Sequence, residues 1–337
     1  MQAWIIPAFG LDKLACEERS DPVPGPDEVL VRVRAVSLNY RDLLIAKGQY
    51  NPRMSLPRVP CSDAAGEVVA VGNKVHSLMP GDLVAGCFFQ NWDEGPITDA
   101  AGKSALGGDI DGVLAELVVF REWGVVPVPS HLSYEEAATL PCAAVTAWNA
   151  LTNGFNPAGK TVLVQGTGGV SIFALQFAKA LGATVLATSS SDEKLAKALA
   201  LGADAGVNYK STPDWDKWAK QQSDGGVDLV VEVGGAGTLD KSVKAIKPGG
   251  RIALIGVLAG GTAFNPLPLM MKSGTVQGIF VGSRTMFTAM NRFLADKQLH
   301  PTIDRKFPFA DAPAAFRHLD AAGHFGKVVI QFPETPV

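Results

Sequence analysis

Hydrophobic and polar positions divide the chain into two styles. Up to about residue 127 the apolar positions come in short, broken runs. Val29, Val31 and Val33 alternate with Leu30, Arg32 and Arg34, which predicts a strand with one partly wet face. Residues 66–71, 82–85 and 114–120 are further short strand candidates, punctuated by Gly72, Pro80, Gly81 and Gly112. Many short strands with such punctuation predict a small barrel-like domain. Residues 37–47 read as a loop leading into a short helix. Residues 90–108 are polar, Gly-rich and patternless, and predict a long surface loop.

Beyond residue 127 the periods lengthen. Ser133 precedes Glu135 and Glu136 and an Ala-rich run, an N-capped helix with acids in its first turn. Residues 143–151 are a second apolar helical stretch. Residues 161–165 form a continuous apolar run, followed by Gly166, Gly168 and Gly169. Val170, Phe173, Ala174, Phe177, Ala178 and Leu181 then mark one face of a helix, which Gly182 can end. A second strand is expected at 184–188. Ser190 with Glu193 makes a plausible capping box for a helix over 195–201. Strands follow at 206–209, 227–233, 251–257 and 275–281. Several are apolar throughout, as parallel strands buried on both faces must be. The tail predicts helices at 287–299 and 312–319 and a last strand at 328–332. That strand has no nucleotide unit of its own to join, so it is expected to pair back into the N-terminal domain.

Composition narrows this picture. With 337 residues, 47% of them hydrophobic, the chain can build two ordinary domains. Charged residues make up 19%, which argues against disorder, and a net charge of -3 leaves no nucleic-acid footprint. Cys16, Cys61, Cys87 and Cys142 are far apart and form no CxxC pair; reduced cytosolic thiols, and hence a cytoplasmic location, are the simpler expectation. No signal-peptide pattern follows Met1, and no apolar run approaches the ~18 residues of a membrane span.

The strand–turn–helix–strand unit over 161–188 has glycines where a dinucleotide-binding fold needs them. Gly166 permits the tight turn. Gly168 lets backbone approach a pyrophosphate, whose charge is met by free N–H groups at the helix start. The third fingerprint position holds Ser171 in place of Gly, a residue small enough for close helix–strand packing. With the two strands of this unit, six parallel strands are expected, the size of a complete doubly wound domain.

Taken together, GEVVAVG (66–72), PGDLVAG (80–86), LPCAAVTAWNAL (140–151), VLVQGTGGVSIFALQFAKALGA (162–183), LGADAGVNY (201–209), KPGGRIALIGV (247–257) and GKVVI (326–330) resemble the medium-chain dehydrogenase/reductase superfamily, in its zinc-free quinone oxidoreductase-like branch. The resemblance spans essentially the whole chain in family order. It implies an α/β protein with a GroES-like β-barrel catalytic domain from residues 1–127 and 284–337. A six-stranded parallel Rossmann domain would occupy 128–283, with a cofactor cleft between the two. It also implies hydride transfer to or from NAD(P).

Zinc alcohol dehydrogenases of the superfamily hold their metal with a Cys, a His in a GHE segment and a later Cys, three ligands plus an open position. Here that segment reads Cys61-Ser62-Asp63, with Ser62 where the His would be. The first Cys position falls in Leu38-Asn39-Tyr40, and only Cys142 matches a ligand. The structural zinc lobe would fall near 87–108, where Cys87 is the only thiol. No metal is therefore expected. Cofactor contacts carried over by the resemblance are Thr146, Gly166, Thr167, Gly168, Gly169, Val170, Gly256 and Lys327. Lys327 either approaches the cofactor phosphates or is a surface lysine. At the end of the second strand, where NAD-selective domains place an acid, the chain carries Ser189 and Ser190, with Lys194 and Tyr209 matching positions that embrace a 2′-phosphate. NADP(H) is thus expected over NAD(H). Asn39 is expected to orient cofactor or substrate, or else to satisfy its own turn. Tyr50 either donates to a carbonyl or packs; Asp63 is a further catalytic candidate. Arg41 and Asp42 are expected to pair with one another or with backbone. Phe88, Phe89, Trp92, Phe280 and Phe287 are candidates for an apolar substrate pocket.

Without a Lewis acid, alcohol oxidation lacks a means to acidify the hydroxyl. Reduction of a quinone or an α,β-unsaturated carbonyl by NADPH fits better, because the developing oxyanion needs only hydrogen-bond donors and then a proton. A metal-free alcohol or aldehyde dehydrogenase and a non-enzymatic NADPH-binding protein are the competing readings. A homodimer is expected through the sixth strand.

Overall fold

The computed structural model describes residues 1–256 and 264–333. Val257, the last residue of the fifth expected strand, lies outside the described residues. Three sheets carry the fold. β1 (Gln2–Ile5) and β2 (Ala15–Glu18) pair with each other, antiparallel. A seven-stranded sheet takes β3 (Glu28–Leu38), β4 (Asp63–Val71), β5 (Leu83–Gly86), β6 (Leu117–Arg121) and β7 (Val125–Pro127). Six parallel strands follow: β8 (Thr161–Gln165), β9 (Thr184–Ser189), β10 (Ala205–Asn208), β11 (Val227–Glu232), β12 (Ile246–Leu254) and β13 (Thr275–Gly278). β14 (Ile303–Pro308) and β15 (Lys327–Gln331) then complete the seven-stranded sheet.

The helices are α1 (Tyr40–Ala46), α2 (Asp99–Gly102), α3 (Tyr134–Ala138), α4 (Val145–Thr152), α5 (Gly169–Ala180), α6 (Asp192–Ala200), α7 (Trp215–Gln221), α8 (Leu239–Ala245), α9 (Leu267–Met271), α10 (Arg284–Lys297) and α11 (Ala312–Asp320). A π-helical turn, Leu140–Ala144, joins α3 to α4. The expected Ser133 cap is present: its hydroxyl accepts from Glu136 N–H, and the Glu136 carboxylate accepts from Ser133 N–H. Among the described residues no helix is long and apolar enough to cross a membrane.

The chain divides into two compact units, Met1–Val145 with Gly282–Val337, and Thr146–Val281. The first boundary falls later than the expected 127/128 because α3 packs on β3, β4 and β15 of the first unit. The second falls at 281/282, against the expected 283/284.

In the first unit β3 does most of the organising. One edge pairs with β4; the other pairs with β6 over its first half and with β15 over its second half. Its alternation is real: Val29, Val31 and Val33 are buried in a core shared with Val68, Val84, Phe316 and Ile330. Each such Val contributes roughly 1.5–3 kcal/mol by leaving water. The last strand pairs antiparallel with β3, as its orphaned position in the sequence demanded. β14 lies parallel beside it. Residues 90–108 correct the expectation of a surface loop. They include α2, and Gln90, Trp92, Ala101, Ser104, Ala105 and Leu106 are buried there, although the stretch has no periodicity.

In the second unit the strand order is β10-β9-β8-β11-β12-β13, all parallel. This is the doubly wound order, whose reversal beside the first strand leaves a crevice at the strand C-termini. The strands are apolar throughout because helices cover both faces; Val162, Leu163 and Val164 are all buried.

Candidate active site

Two sites emerge, one in each unit, built by different means. In the second unit the site is made of backbone. Gly166 takes a left-handed φ of 72° and donates its N–H to Thr188 O at 2.9 Å, tying the turn to β9. Gly168 is the N-cap of α5 and has no side-chain cap. A Cβ built at Gly168 would meet no atom of the described residues within 4 Å, so their packing does not require a glycine there. What the bare backbone offers is a set of first-turn N–H groups, from Gly169 and Val170 onward, facing open space, the form a pyrophosphate site takes. Ser171, in the third fingerprint position, is buried and donates to Gln165 O at 2.6 Å, pinning α5 to β8. Thr167 is buried beside the turn. Gly256 is a different kind of glycine: a Cβ there would overlap the Val233 carbonyl.

Below this turn lies a buried carboxylate that sequence reasoning missed. Glu232 ends β11 and accepts from Gly234 N–H at 2.8 Å, Gly235 N–H at 2.9 Å, Thr238 Oγ1 at 2.5 Å and Gln165 Nε2 at 2.7 Å, with Ser242 Oγ close by. It fixes the turn after β11. The signal was an acid directly following the apolar run Leu229–Val231 at the end of the strand.

In the first unit the site is made of side chains. The register of three neighbouring strands assembles it. Val328 pairs with Leu38 and Ser37 pairs with Asp63. Continuing each ladder by one residue sets Asn39 opposite Lys327 and Leu38 opposite Ser62, so Asn39 lies one position past Ser62's partner. Lys327 is 3% exposed; its ammonium donates to Leu38 O at 2.7 Å and to Asn39 Oδ1 at 2.6 Å. Asn39 Nδ2 donates to Ser62 Oγ at 3.5 Å, and Ser62 Oγ donates to Asp63 Oδ1 at 2.6 Å. The other Asp63 oxygen accepts from Cys142 N–H at 3.0 Å. The result is a directional chain from a buried cation to a buried carboxyl group. Cys61, just before it, sits at a left-handed φ of 70°, and Gly107 and Gly112 crowd its backbone so closely that neither position tolerates a Cβ. That kink turns Ser62 and Asp63 inward.

Burial raises the Asp63 carboxyl, and Lys327, Ser62, Asn39 and the Cys142 N–H pull it back. Asp42, also fully buried, is pushed up to about 6, mainly by desolvation, against the pull of Arg41. One Asp42 oxygen accepts from Asn39 N–H at 2.8 Å; the other has no partner. Burial also drives the Cys142 and Cys61 thiols well above their usual range.

Comparison with known proteins decides the family. Residues 25–130 match the alcohol dehydrogenase GroES-like domain, and residues 169–296 match the zinc-binding dehydrogenase family. A zinc-type alcohol dehydrogenase-like protein of Schizosaccharomyces pombe is 45% identical over 332 residues, 96% of each chain. The chain belongs to the medium-chain dehydrogenase/reductase superfamily. An acryloyl-coenzyme A reductase of Metallosphaera sedula is 34% identical over 250 residues, 71% of this chain and 72% of that one. A solved structure from Sinorhizobium meliloti, assigned provisionally as an alcohol dehydrogenase, superposes with a TM-score of 0.90 at 43% identity and covers 98% of each chain. The α/β fold with a GroES-like domain and a parallel Rossmann sheet is thereby established. As an oxidoreductase of this superfamily the protein works with a nicotinamide cofactor.

Within the superfamily's frame the remaining expected residues fall as follows. Ser189 is buried and its hydroxyl accepts from Ser191 N–H. The cap of α6 is Ser191, accepting from Lys194 N–H, which corrects the expected Ser190–Glu193 box and leaves Ser190 out of the cap. Tyr209 is exposed just past β10, with its N–H on Ser189 O. Lys327 is buried at the start of β15, which rules out the surface-lysine alternative. Thr146 is buried in α4. Arg41 and Asp42 form no ion pair. Arg41 donates to Leu106 O at 2.8 Å and lies over the rings of Phe88 and the exposed Tyr50, at 4.7 and 5.2 Å from their centroids. Of the five expected pocket aromatics, Phe88, Phe89, Trp92 and Phe287 are buried packing, with Phe89 edge-on to both Phe88 and Trp92; Phe280 is exposed.

The family description mentions zinc, so the donor set matters. Zinc takes thiolate, imidazole or carboxylate. Here the three positions hold an amide, a hydroxyl and a thiol, and the first two, which are not zinc ligands, are spent on the Lys327–Asp63 chain. Among the described residues no group of three or more His, Cys, Asp or Glu side chains is placed to hold a metal ion. These residues do not fit a catalytic zinc.

Proposed function

We propose that this protein is a zinc-independent, NADPH-dependent reductase of quinones or α,β-unsaturated carbonyl compounds. The observation that carries this reading is the buried Lys327–Asn39–Ser62–Asp63 chain, which puts hydrogen-bond donors where zinc-dependent relatives hold a metal. Such donors suit an enolate or hydroquinone oxyanion, which needs stabilising charge and then a proton, and they suit poorly an alcohol that must first lose one. Asn39 is the first choice for the group that meets the substrate, with Asp63 joined to it through Ser62 and Tyr50 in the same unit, under the Arg41 guanidinium. The name of the Metallosphaera sedula relative, an acryloyl thioester reductase, points the same way.

The cofactor supplies the hydride. The Gly166–Val170 turn holds its pyrophosphate, and Ser189, Ser190, Lys194 and Tyr209 form the NADP(H)-selective end. No carboxylate stands at Ser189 or Ser190 to repel a 2′-phosphate, and Ser190, not being the helix cap, has its hydroxyl to offer. The alternative of an alcohol dehydrogenase is favoured by the name of the Schizosaccharomyces pombe relative. A homodimer is the expected assembly: among the described residues β13 is an unpaired edge of the parallel sheet, flanked by exposed Phe280. Sedimentation at micromolar concentration checks it.

The deciding experiment is oxidation of NADPH and of NADH by chelator-stripped protein against quinones, enones and aldehydes. Turnover of quinones or enones with NADPH after stripping supports the reading. Activity lost on stripping and restored by zinc overturns it in favour of the alcohol dehydrogenase. Tight NADPH binding with no turnover of any substrate favours a non-enzymatic binding protein.

A further inference from the structure

Among the described residues Lys327 is a buried ammonium with two neutral acceptors and no carboxylate among its hydrogen-bond partners. Burying a charge costs several kcal/mol, which hydrogen bonds to neutral acceptors offset only in part. Its position settles the chemistry of its neighbour. An ammonium has three donors and no lone pair, so only the oxygen of the Asn39 amide can face it. With Oδ1 turned to Lys327, Nδ2 must point the opposite way, toward Ser62 and Asp63. Ser62 in turn is oriented by Asp63, which takes its hydroxyl proton and so leaves the oxygen lone pairs toward Asn39. A free asparagine side chain presents donor and acceptor faces with nearly equal ease; this one presents a donor.

We propose that Lys327 is the positioning residue of the site: it locks the amide of Asn39 so that the N–H face, and not the carbonyl, meets the substrate oxygen. This rests on the reductase reading above for the identity of the substrate, though not for the lock itself. It also departs from a role for Lys327 on the cofactor phosphates, since two of the three ammonium N–H bonds are spent on Leu38 O and Asn39 Oδ1 inside the first unit. A carbonyl facing a developing oxyanion would repel it, so an unlocked amide spends part of its time in an obstructive orientation.

The test is a double-mutant cycle on Lys327→Met and Asn39→Ala, with Lys327→Arg as the conservative variant. NADPH affinity is read by fluorescence titration and turnover by kcat and KM. The lock predicts that Lys327→Met lowers kcat at least ~10-fold, keeps the NADPH Kd within ~2-fold, and loses little more when Asn39→Ala is added. Lys327→Arg, which still offers only donors, recovers much of kcat. A Kd raised ~10-fold with kcat kept, or losses that multiply independently, overturns the lock and makes Lys327 a phosphate contact.

A second measurement needs neither activity nor a folded variant. In wild-type protein labelled with nitrogen-15 in Lys and Asn, the lock predicts one slowly exchanging ammonium signal with a cross-peak to a side-chain amide. Rapid exchange of every lysine ammonium sinks the lock even if the protein is a reductase. A slow ammonium in a protein that reduces no quinone or enone sinks the reductase reading and leaves the lock standing.

Discussion

The glycine turn and the polar cluster answer the same demand, placing polar groups for a charged or polar guest, by opposite routes. At Gly166–Val170 the polar groups are main-chain N–H bonds, contiguous in sequence, open to their surroundings and cheap to keep wet. Around Asn39 they are the buried side chains of residues 39, 62, 63 and 327, joined by the backbone N–H of Cys142 and bonded to one another. A backbone site tolerates an error in its neighbours and fails only if its own space is filled. A buried side-chain network fails when any one member is removed, because the remaining members keep their desolvation cost.

The comparison can be broken most violently at Asp63. Asp63→Ala leaves Ser62 Oγ and the Cys142 N–H without their common acceptor and removes a carboxyl group that interacts electrostatically with the Lys327 cation. Stability is expected to fall by about 3–5 kcal/mol, read as a shift in the denaturant midpoint. Gly168→Val is the counterpart. Its Cβ meets no atom of the described residues within 4 Å, so the midpoint should hardly move, while the added bulk fills the cofactor's approach and NADPH affinity drops about 100-fold by titration. Equal damage to stability from the two variants would erase the distinction.

A smaller effect separates the regions by pH. Asp42 is raised from 3.8 to about 6 in the folded protein. A carboxyl raised on folding stabilises below its unfolded pKa, and that contribution is lost as pH climbs through the folded value. The wild type should therefore lose on the order of 2–3 kcal/mol between pH 4 and pH 7 from this group. Asp42→Asn should flatten that dependence, as measured by denaturant titrations at both pH values. An unchanged slope refutes the assignment. Smallest is Lys194→Ala, expected to cut the preference for NADPH over NADH by about 10-fold in kcat/KM without touching stability.

The contrast also sets what could be read from the sequence. The turn was legible because backbone sites write themselves locally: two glycines, a helical period and a strand on either side. The parallel sheet was legible for the same reason, apolar runs alternating with helical faces. β14 was not, since Ile303–Pro308 alternates weakly and carries Arg305 and Lys306 outward. Residues 90–108 hid their burial because an aperiodic segment gives no pattern by which to count inward positions. In the site, Asn39 and Asp63 were found one at a time, by resemblance. That Lys327 touches Asn39 follows from strand register alone, and no local pattern announces a pairing across nearly three hundred residues. Asp42 and Glu232 were missed as buried acids because composition cannot say which acid has been sealed.

The pairing of β15 with β3 fixes an order of events at the ribosome. The parallel sheet is contiguous in the chain and can fold as it emerges. The seven-stranded sheet cannot: its long central strand is made nearly three hundred residues before the strand that covers half of one edge. While those residues are made, Asn39, Ser62 and Asp63 have no Lys327 beside them. Lys327, arriving with β15, closes the sheet and neutralises the pocket in a single move, so a nascent chain that stalls before this residue displays an open strand edge and a hydrated acid to any quality-control factor that samples it.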